Sequence, residues 1–140
     1  HSIGDDNKSD ESYQKSLDLI PDNIIVLNNY SYYLSLREKD LEKAERMSKQ
    51  CLELSPGQST YQDTYGWVLY KLKRFNEAKV WLEKAVNADS KSPVILEHFG
   101  DVLYQLDQKK DALEYWKKAK STGGDSELLN KKVSEGVLYE

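Results

Sequence analysis

Two constellations in this sequence have residue types that could carry chemistry. Cys51 and His98 pair a thiol with an imidazole, the makings of a nucleophile and its general base. Asp63, Glu97 and Asp101 offer the hard oxygen ligands that hold divalent cations. Neither reading fits its setting. Cys51 falls in register with alanines in a repeating pattern, which makes it a small core residue, and it belongs to a different repeat from His98. The three carboxylates stand at helical spacings, where a solvated helix face is the ordinary explanation. A Gly-rich phosphate loop, an HExxH pair and a Ser/His/Asp set are all missing. The sequence therefore predicts no catalytic residue, no cofactor and no metal site.

What remains is recognition, and composition narrows it. The chain has 140 residues, 39% hydrophobic and 31% charged, which suits one soluble domain or one stretch of a longer repeat array. No window approaches the roughly 20 apolar residues of a membrane-spanning helix, and no signal-peptide hydrophobic region is visible. A net charge of -4 argues against nucleic acid, whose binding needs a basic surface. The single cysteine excludes an internal disulfide and a zinc site built on cysteine pairs. Ten Tyr and three Trp are many for this length and favour protein contacts. His1 and the polar stretch after it read as a tag remnant and disordered linker over residues 1–8.

The positioning elements follow from self-similarity. Shifted by 34 residues, Gly66 meets Gly100, Leu69 meets Leu103, Ala78 meets Ala112 and Ala85 meets Ala119. A shift of 35 from Gly66 reaches Ser31, and Ala44, Cys51 and Pro56 then align with Ala78, Ala85 and Ser90; one residue has been inserted near "REKD". A fixed period of this size marks stacked repeats that bury apolar faces only against neighbours. Inside each period the apolar spacing is helical, with a polar break such as Lys73-Arg74 in the middle. Each unit is thus a pair of antiparallel helices: first helices near 24–36, 59–72 and 93–106, second helices near 40–54, 75–88 and 109–121. Ser55-Pro56-Gly57, Ser92-Pro93 and Gly123-Gly124 punctuate them.

Gly66 and Gly100 sit inside predicted helices, where glycine costs roughly 0.5–1 kcal/mol relative to alanine. A helix retains such a residue when a Cβ would keep a partner helix too far away. The small residues Ser31, Gly66 and Gly100 are expected at the crossing with the second helix, opposite Ala44/Cys51, Ala78/Ala85 and Ala112/Ala119.

These residues resemble the tetratricopeptide repeat, with its large residue, Leu-Gly-like pair and Tyr-like residue on the first helix and Ala, aromatic, Ala and Pro on the second. The units read Leu27, Tyr30-Ser31, Leu34, Ala44, Ser48, Cys51, Pro56; then Gln62, Tyr65-Gly66, Leu69, Ala78, Leu82, Ala85, Ser90; then Leu96, Phe99-Gly100, Leu103, Ala112, Trp116, Ala119, Gly124. Departures are Gln62, Ser48, two missing final prolines, and Lys73 and Asp107 where the family often has glycine. The resemblance implies an all-α, right-handed solenoid of antiparallel helix pairs, with repeats over 24–57, 59–92 and 93–124. "SYQKSLDLIP" resembles the second helix of a truncated preceding repeat over 9–22, and "SELLNKKVSEGVLYE" a capping helix over 125–140.

The family's concave face is lined by first helices and usually binds peptides or partner helices. Carried over unit by unit, the groove positions are Asn28, Tyr32 and Ser35; Asp63, Trp67 and Tyr70; and Glu97, Asp101 and Tyr104. Some members clamp an acidic chaperone tail with Lys, Arg and Asn, but Asn28, Tyr32, Thr64, Val94 and His98 stand at those sites, so no such binding is expected. The strip implies a non-catalytic scaffold for a protein or peptide, uncharged to basic, with apolar anchors: its aromatic side chains would serve as platforms and its carboxylates would steer cations. Two other roles fit the same resemblance, a homo-oligomerisation or assembly module and a regulatory segment of a larger enzyme or secretion machine. "LNNYSYYLSLR", "YQDTYGWVLYKL" and "SPVILEHFGDVLYQL" look most like bacterial envelope-associated members, often lipid-anchored upstream, with a cytoplasmic location as the alternative.

Overall fold

The computed structural model describes residues 3–140, with side chains from residue 8 onward. The helices, in chain order, are α1 (Ile3–Leu19), α2 (Ile24–Arg37), α3 (Leu41–Leu54), α4 (Ser59–Lys71), α5 (Phe75–Ala88), α6 (Pro93–Gln105), α7 (Lys109–Ser121) and α8 (Glu127–Glu135). From α2 to α7, every helix begins and ends within one residue of the bounds read from the sequence. His1 and Ser2, expected to belong to a tag remnant, lie outside the described residues. The expectation of a disordered linker up to residue 8 is corrected, because α1 runs through it. The docked turn around Tyr13 and Leu17 supplies a helical nucleus, and extension from an existing nucleus is easy where no proline intervenes.

Local chemistry sets the boundaries. Asn23, Ser92 and Ser126 each accept a hydrogen bond from the amide three residues on, opening α2, α6 and α8. Between paired helices the chain turns through left-handed backbone at Glu38, Asp40, Lys73 and Asp107, with φ of 48 to 64°. That conformation explains why glycine is usual at Lys73 and Asp107, and why side-chain-bearing residues there carry some strain. The inserted residue of the first unit is absorbed by its two left-handed residues, Glu38 and Asp40.

Each first helix packs chiefly on its own second helix, α2 on α3, α4 on α5 and α6 on α7. The second helices also lean on the next first helix, α3 on α4 and α5 on α6. First helices touch one another directly, α2 with α4 and α4 with α6, which makes theirs the tighter, inner wall of the stack. The apolar interior is continuous through the second and third units and includes Leu69, Leu82, Leu103, Trp116 and Leu129. Leu17, Tyr30, Leu34, Met47 and Cys51 fill the first unit. Burial pushes the Cys51 thiol up to about 11, and its Sγ faces the Ile24 carbonyl at 3.6 Å, so it is a packed thiol and not a nucleophile.

The two helix glycines are contact points. A Cβ at Gly66 would lie 2.8 Å from Leu82 Cγ, and one at Gly100 would lie 2.5 Å from Cδ1 and Nε1 of Trp116. In the first unit the equivalent pair is Ser31 and Ser48, both fully buried. Their hydroxyls donate to carbonyls of their own helices, Leu27 and Asn28 for Ser31, Ala44 and Glu45 for Ser48. At Gly66/Leu82 and Gly100/Trp116 the helix that lacks a side chain faces the helix that carries a large one, whereas in the first unit both residues, Ser31 and Ser48, are small. Ser48, a departure from the family pattern by sequence, is the residue that makes room for Ser31.

Gly100→Ala is expected to destabilise the fold by about 1–3 kcal/mol through overpacking against the rigid indole. Gly66→Ala should cost less, because Leu82 can change rotamer. Urea melts of the two variants check the order.

Candidate functional site: the inner wall of the stack

α2, α4, α6 and α8 present their inner residues to one another, and the wall is built on a second use of the 34-residue period. Asp63 on α4 accepts from His98 Nδ1 on α6 at 2.9 Å. One period later, Glu97 on α6 accepts from Lys132 Nζ on α8 at 2.7 Å. The residue one turn beyond each carboxylate meets the same cation: the Trp67 ring stacks on His98 at 3.8 Å and 15°, and Asp101 takes Lys132 at 2.9 Å. Asp63, His98, Asp101 and Lys132 are all buried. Asp101 also accepts from the indole N–H of Trp116 at 3.0 Å, which couples the wall to the glycine crossing behind it. In the first joint Asn28 and Thr64 hold the equivalent places. Thr64 donates instead to the Thr60 carbonyl, and Asn28 Oδ1 is buried with no hydrogen-bond partner among the described residues.

The electrostatics follow. Burial opposes the charged form of His98, but the carboxylate of Asp63 outweighs it, with help from Asp101 and Glu97, and raises the imidazole above its usual 6.5. Lys132 feels the same opposition, and its two carboxylates keep it protonated and raised. Burial pushes the Asp101 carboxyl up to about 6 even with Lys132 beside it. A buried pair of this kind adds little net stability, yet losing one partner strands a charge.

This geometry relocates several of the residues proposed from the sequence. Asn28, Ser35, Asp63, Trp67, Tyr70 and Asp101 lie on the inner face but are buried. Tyr32, Glu97 and Tyr104 stay partly open. Trp67 is sandwiched between His98 and Tyr70, the second stack being 4.5 Å and 6°, with Lys71 above it at 5.3 Å. It is a structural ring more than an open platform. The carboxylates expected to steer basic ligands are occupied by His98 and Lys132, so that argument loses its physical basis. Sequence reasoning considered His98 as a partner for Cys51 and as a residue at the clamp sites, never as a partner of Asp63, and omitted Lys132. The signal was present, since His98 and Lys132 are themselves one period apart, each 35 residues after an acidic residue.

The capping helix also departs from expectation. α8 ends at Glu135, where Gly136 turns into left-handed backbone (φ 66°), and Val137–Glu140 is not helical. The segment folds back so that Tyr70 donates to Glu140 Oε1 at 2.5 Å, joined by Gln105 Nε2 at 3.2 Å.

The most exposed parts of the wall are its two edges. At the starts of the inner helices, Ile25 (63% exposed), Val94 (52%) and Leu128 (44%) stand at the second position of α2, α6 and α8, with exposed Thr60 completing the row on α4. Ile25, Thr60 and Val94 precede the inner-face residues Asn28, Asp63 and Glu97 by three, and Leu128 precedes Lys132 by four, so each borders the same face. This edge was not proposed from the sequence, because attention rested on the middle of each helix. At the ends of the helices, Leu36, Lys71 and Gln105 form the opposite edge. Among the described residues no group of three or more His, Cys, Asp or Glu could hold a metal ion, and no helix is long and apolar enough to cross a membrane.

Lys132→Met is expected to cost about 3–5 kcal/mol by stranding Asp101, and to speed amide hydrogen exchange in α8 above all. For His98, the folded pKa exceeds the unfolded one, so its stabilisation is complete below about pH 6.5 and fades as pH rises through the folded value. Chemical denaturation should therefore show greater stability at pH 6 than at pH 8, with the difference reduced in His98→Gln.

Comparison with known proteins now bears on this geometry. The chain is similar to the type IV pilus assembly protein PilF of Pseudomonas aeruginosa, 27% identical over 119 residues, 84% of this chain and 47% of PilF. The solved structure from a functional characterisation of Pseudomonas aeruginosa PilF superposes with a TM-score of 0.71 at 27% identity, covering 90% of this chain and 59% of that one. The crystal structure of PilW, described as a widely conserved type IV pilus biogenesis factor, shares the fold at TM-score 0.78 and 22% identity, covering 94% of this chain and 62% of that one. The Sgt2 repeat domain of Aspergillus fumigatus shares it at 0.73 and 17%, over 81% of this chain and 76% of that one. The chain thus spans about half the length of PilF. The tetratricopeptide repeat profile matches residues 30–130, and with the helix pairs and their glycine crossings this places the chain in the tetratricopeptide repeat family, as a right-handed, all-α solenoid.

Proposed function

We propose that this chain is a non-catalytic protein-interaction scaffold that receives an apolar-anchored peptide or helix of a partner along its inner wall, and that the whole protein serves type IV pilus assembly at the bacterial cell envelope. The observation that carries the first part is the periodic edge Ile25, Thr60, Val94 and Leu128. Single exposed apolar residues are ordinary on any surface. Here they recur at the same position of three of the four inner helices, α2, α6 and α8, a pattern that solvation alone gives no reason to keep. Packed helices stand about 8–10 Å apart, which an extended peptide crosses in about three residues at 3.3 Å each. Apolar side chains at that interval on a partner would meet successive members of the row, while half-open Tyr32 and Tyr104, further along α2 and α6, add aromatic area towards the opposite edge. With Asp63, Glu97 and Asp101 already paired, apolar contact and not cation attraction is the main source of affinity.

The second part rests on similarity to PilF across most of this chain. A protein of this kind works by holding other components in register, which needs no catalytic group.

Replacing Ile25, Val94 and Leu128 together by Asp should lower recovery of the natural partner by at least about tenfold, as loss of interface anchors does, while circular dichroism and the melting midpoint stay close to the parent's. Equal recovery of pilus components by parent and variant would overturn the assignment of this edge.

A further inference from the structure

The helix-end edge of the inner wall holds a feature that the apolar reading does not explain. Glu38, Tyr70, Lys71, Lys73, Phe75, Gln105 and Glu140 line an open cleft of about 210 Å³ at the α4–α5 turn, with the Glu140 carboxylate on one wall. One carboxylate oxygen takes two hydrogen bonds there, from Tyr70 and from Gln105, and Gln105 also reaches the Tyr70 hydroxyl at 3.3 Å, so the two donors are held together. Tyr70 is almost fully buried, and its ring is fixed between Trp67 and Phe75. Two lysines line the cleft against one acid of its own, Glu38, which Lys71 meets only at 3.8 Å. Lys73 is exposed, at a left-handed turn position. A pair of neutral donors held together, in a cleft that two lysines also line, suits a carboxylate.

The segment that carries Glu140 is held at a few points. Beyond Gly136 the helix has ended, Val137 is 41% exposed, and Leu138 packs, partly buried, against the core. Tyr139 rests under Lys131 at 4.6 Å. Glu140 is thus the polar anchor of a short strap across the end of the wall.

We propose that the Tyr70–Gln105 donor pair in this cleft is a carboxylate-binding subsite of the partner groove, and that Glu140 takes the pair as an internal stand-in for an acidic side chain of the partner. The inference rests on the reading of the inner wall as a docking surface and adds to it a chemical preference. A partner segment carries Asp or Glu at the end that reaches the α4–α5 turn, and binds by displacing Glu140. The subsite lies at the opposite ends of the inner helices from Ile25, Val94 and Leu128, so one bound segment crosses the wall with apolar contacts at one edge and an acidic contact at the other. Overall charge of the partner is then less informative than where its carboxylate stands.

The test uses the isotope-labelled chain and two synthetic pentapeptides, Gly-Val-Leu-Tyr-Glu and the same peptide ending in Gln, both with amidated C-termini. In the Glu140→Gln chain, nuclear magnetic resonance should show residues 137–140 gaining fast backbone motion. The Glu peptide should then shift the amides of Lys71–Phe75 and Gln105, binding at least about tenfold tighter than the Gln peptide, in line with the strength of hydrogen bonds to charged groups. It should bind the parent chain more weakly, since Glu140 competes. Tyr70→Phe, which keeps the ring stack and removes the donor, should erase the preference for Glu. Equal binding of the two peptides, or no shift at the cleft in Glu140→Gln, overturns the subsite. Val94→Asp must leave this titration unchanged. Loss of partner dependence on the apolar edge with cleft binding intact refutes the docking edge alone, and the reverse result refutes the subsite alone.

Discussion

The structure depends on how closely two helices of a pair can approach at one crossing. At Gly66 and Gly100 the missing side chain lets Leu82 and Trp116 lie against backbone, and a methyl group at either point would collide with them. The helix-propensity cost of a glycine, roughly 0.5–1 kcal/mol, is offset by burying a whole leucine or tryptophan, each worth about 1.5–3 kcal/mol or more. The first unit solves the same problem differently, with two serines whose hydroxyls are satisfied by their own helices. The constraint is on the volume of the pair and not on either residue, which is why the small position can be Ser or Gly and its opposite Ser, Leu or Trp.

Close pairing has a consequence on the inner wall. It brings successive first helices into contact, and their facing polar residues are then within reach of one another. Asp63 with His98 and Glu97 with Lys132 are the result, one joint apart and built alike. Trp116 links the two layers, since its ring fills the space left by Gly100 while its N–H holds Asp101 for Lys132. In low-dielectric surroundings these pairs add little net energy, but they punish any slip in register, because a displaced helix would leave a buried charge alone. Polar pairing thus fixes how each helix pair is stacked on the next, and glycine fixes how each pair closes.

For recognition, the wall is divided. Its middle is largely taken up by its own ring stacks and ion pairs, with Tyr32, Glu97 and Tyr104 partly open, while the helix starts expose Ile25, Val94 and Leu128 and the helix ends are polar and hold Glu140. Affinity and orientation can then come from different ends of the same helices. The family resemblance alone suggests a uniform strip of aromatic and acidic groups; the side-chain network turns that strip into two edges of opposite character.

The sequence by itself determined the helix pairs, their boundaries and their stacking, because a repeated spacing of small and apolar residues is a local signal copied three times, and each copy corroborates the others. It also located the inner face, since residues three and four apart share one side of a helix. Only the tertiary structure decided which inner residues are free. Whether Trp67 is a platform or a stacked core ring depends on His98, 31 residues away, and whether Asp101 attracts a ligand depends on Lys132 on a helix two elements later. The fold-back after Gly136, which brings Glu140 to Tyr70 across 70 residues of sequence, has no periodic signature at all. Side-chain pairing between helices is a matter of reach and competing partners in three dimensions, and periodicity along the chain does not encode it.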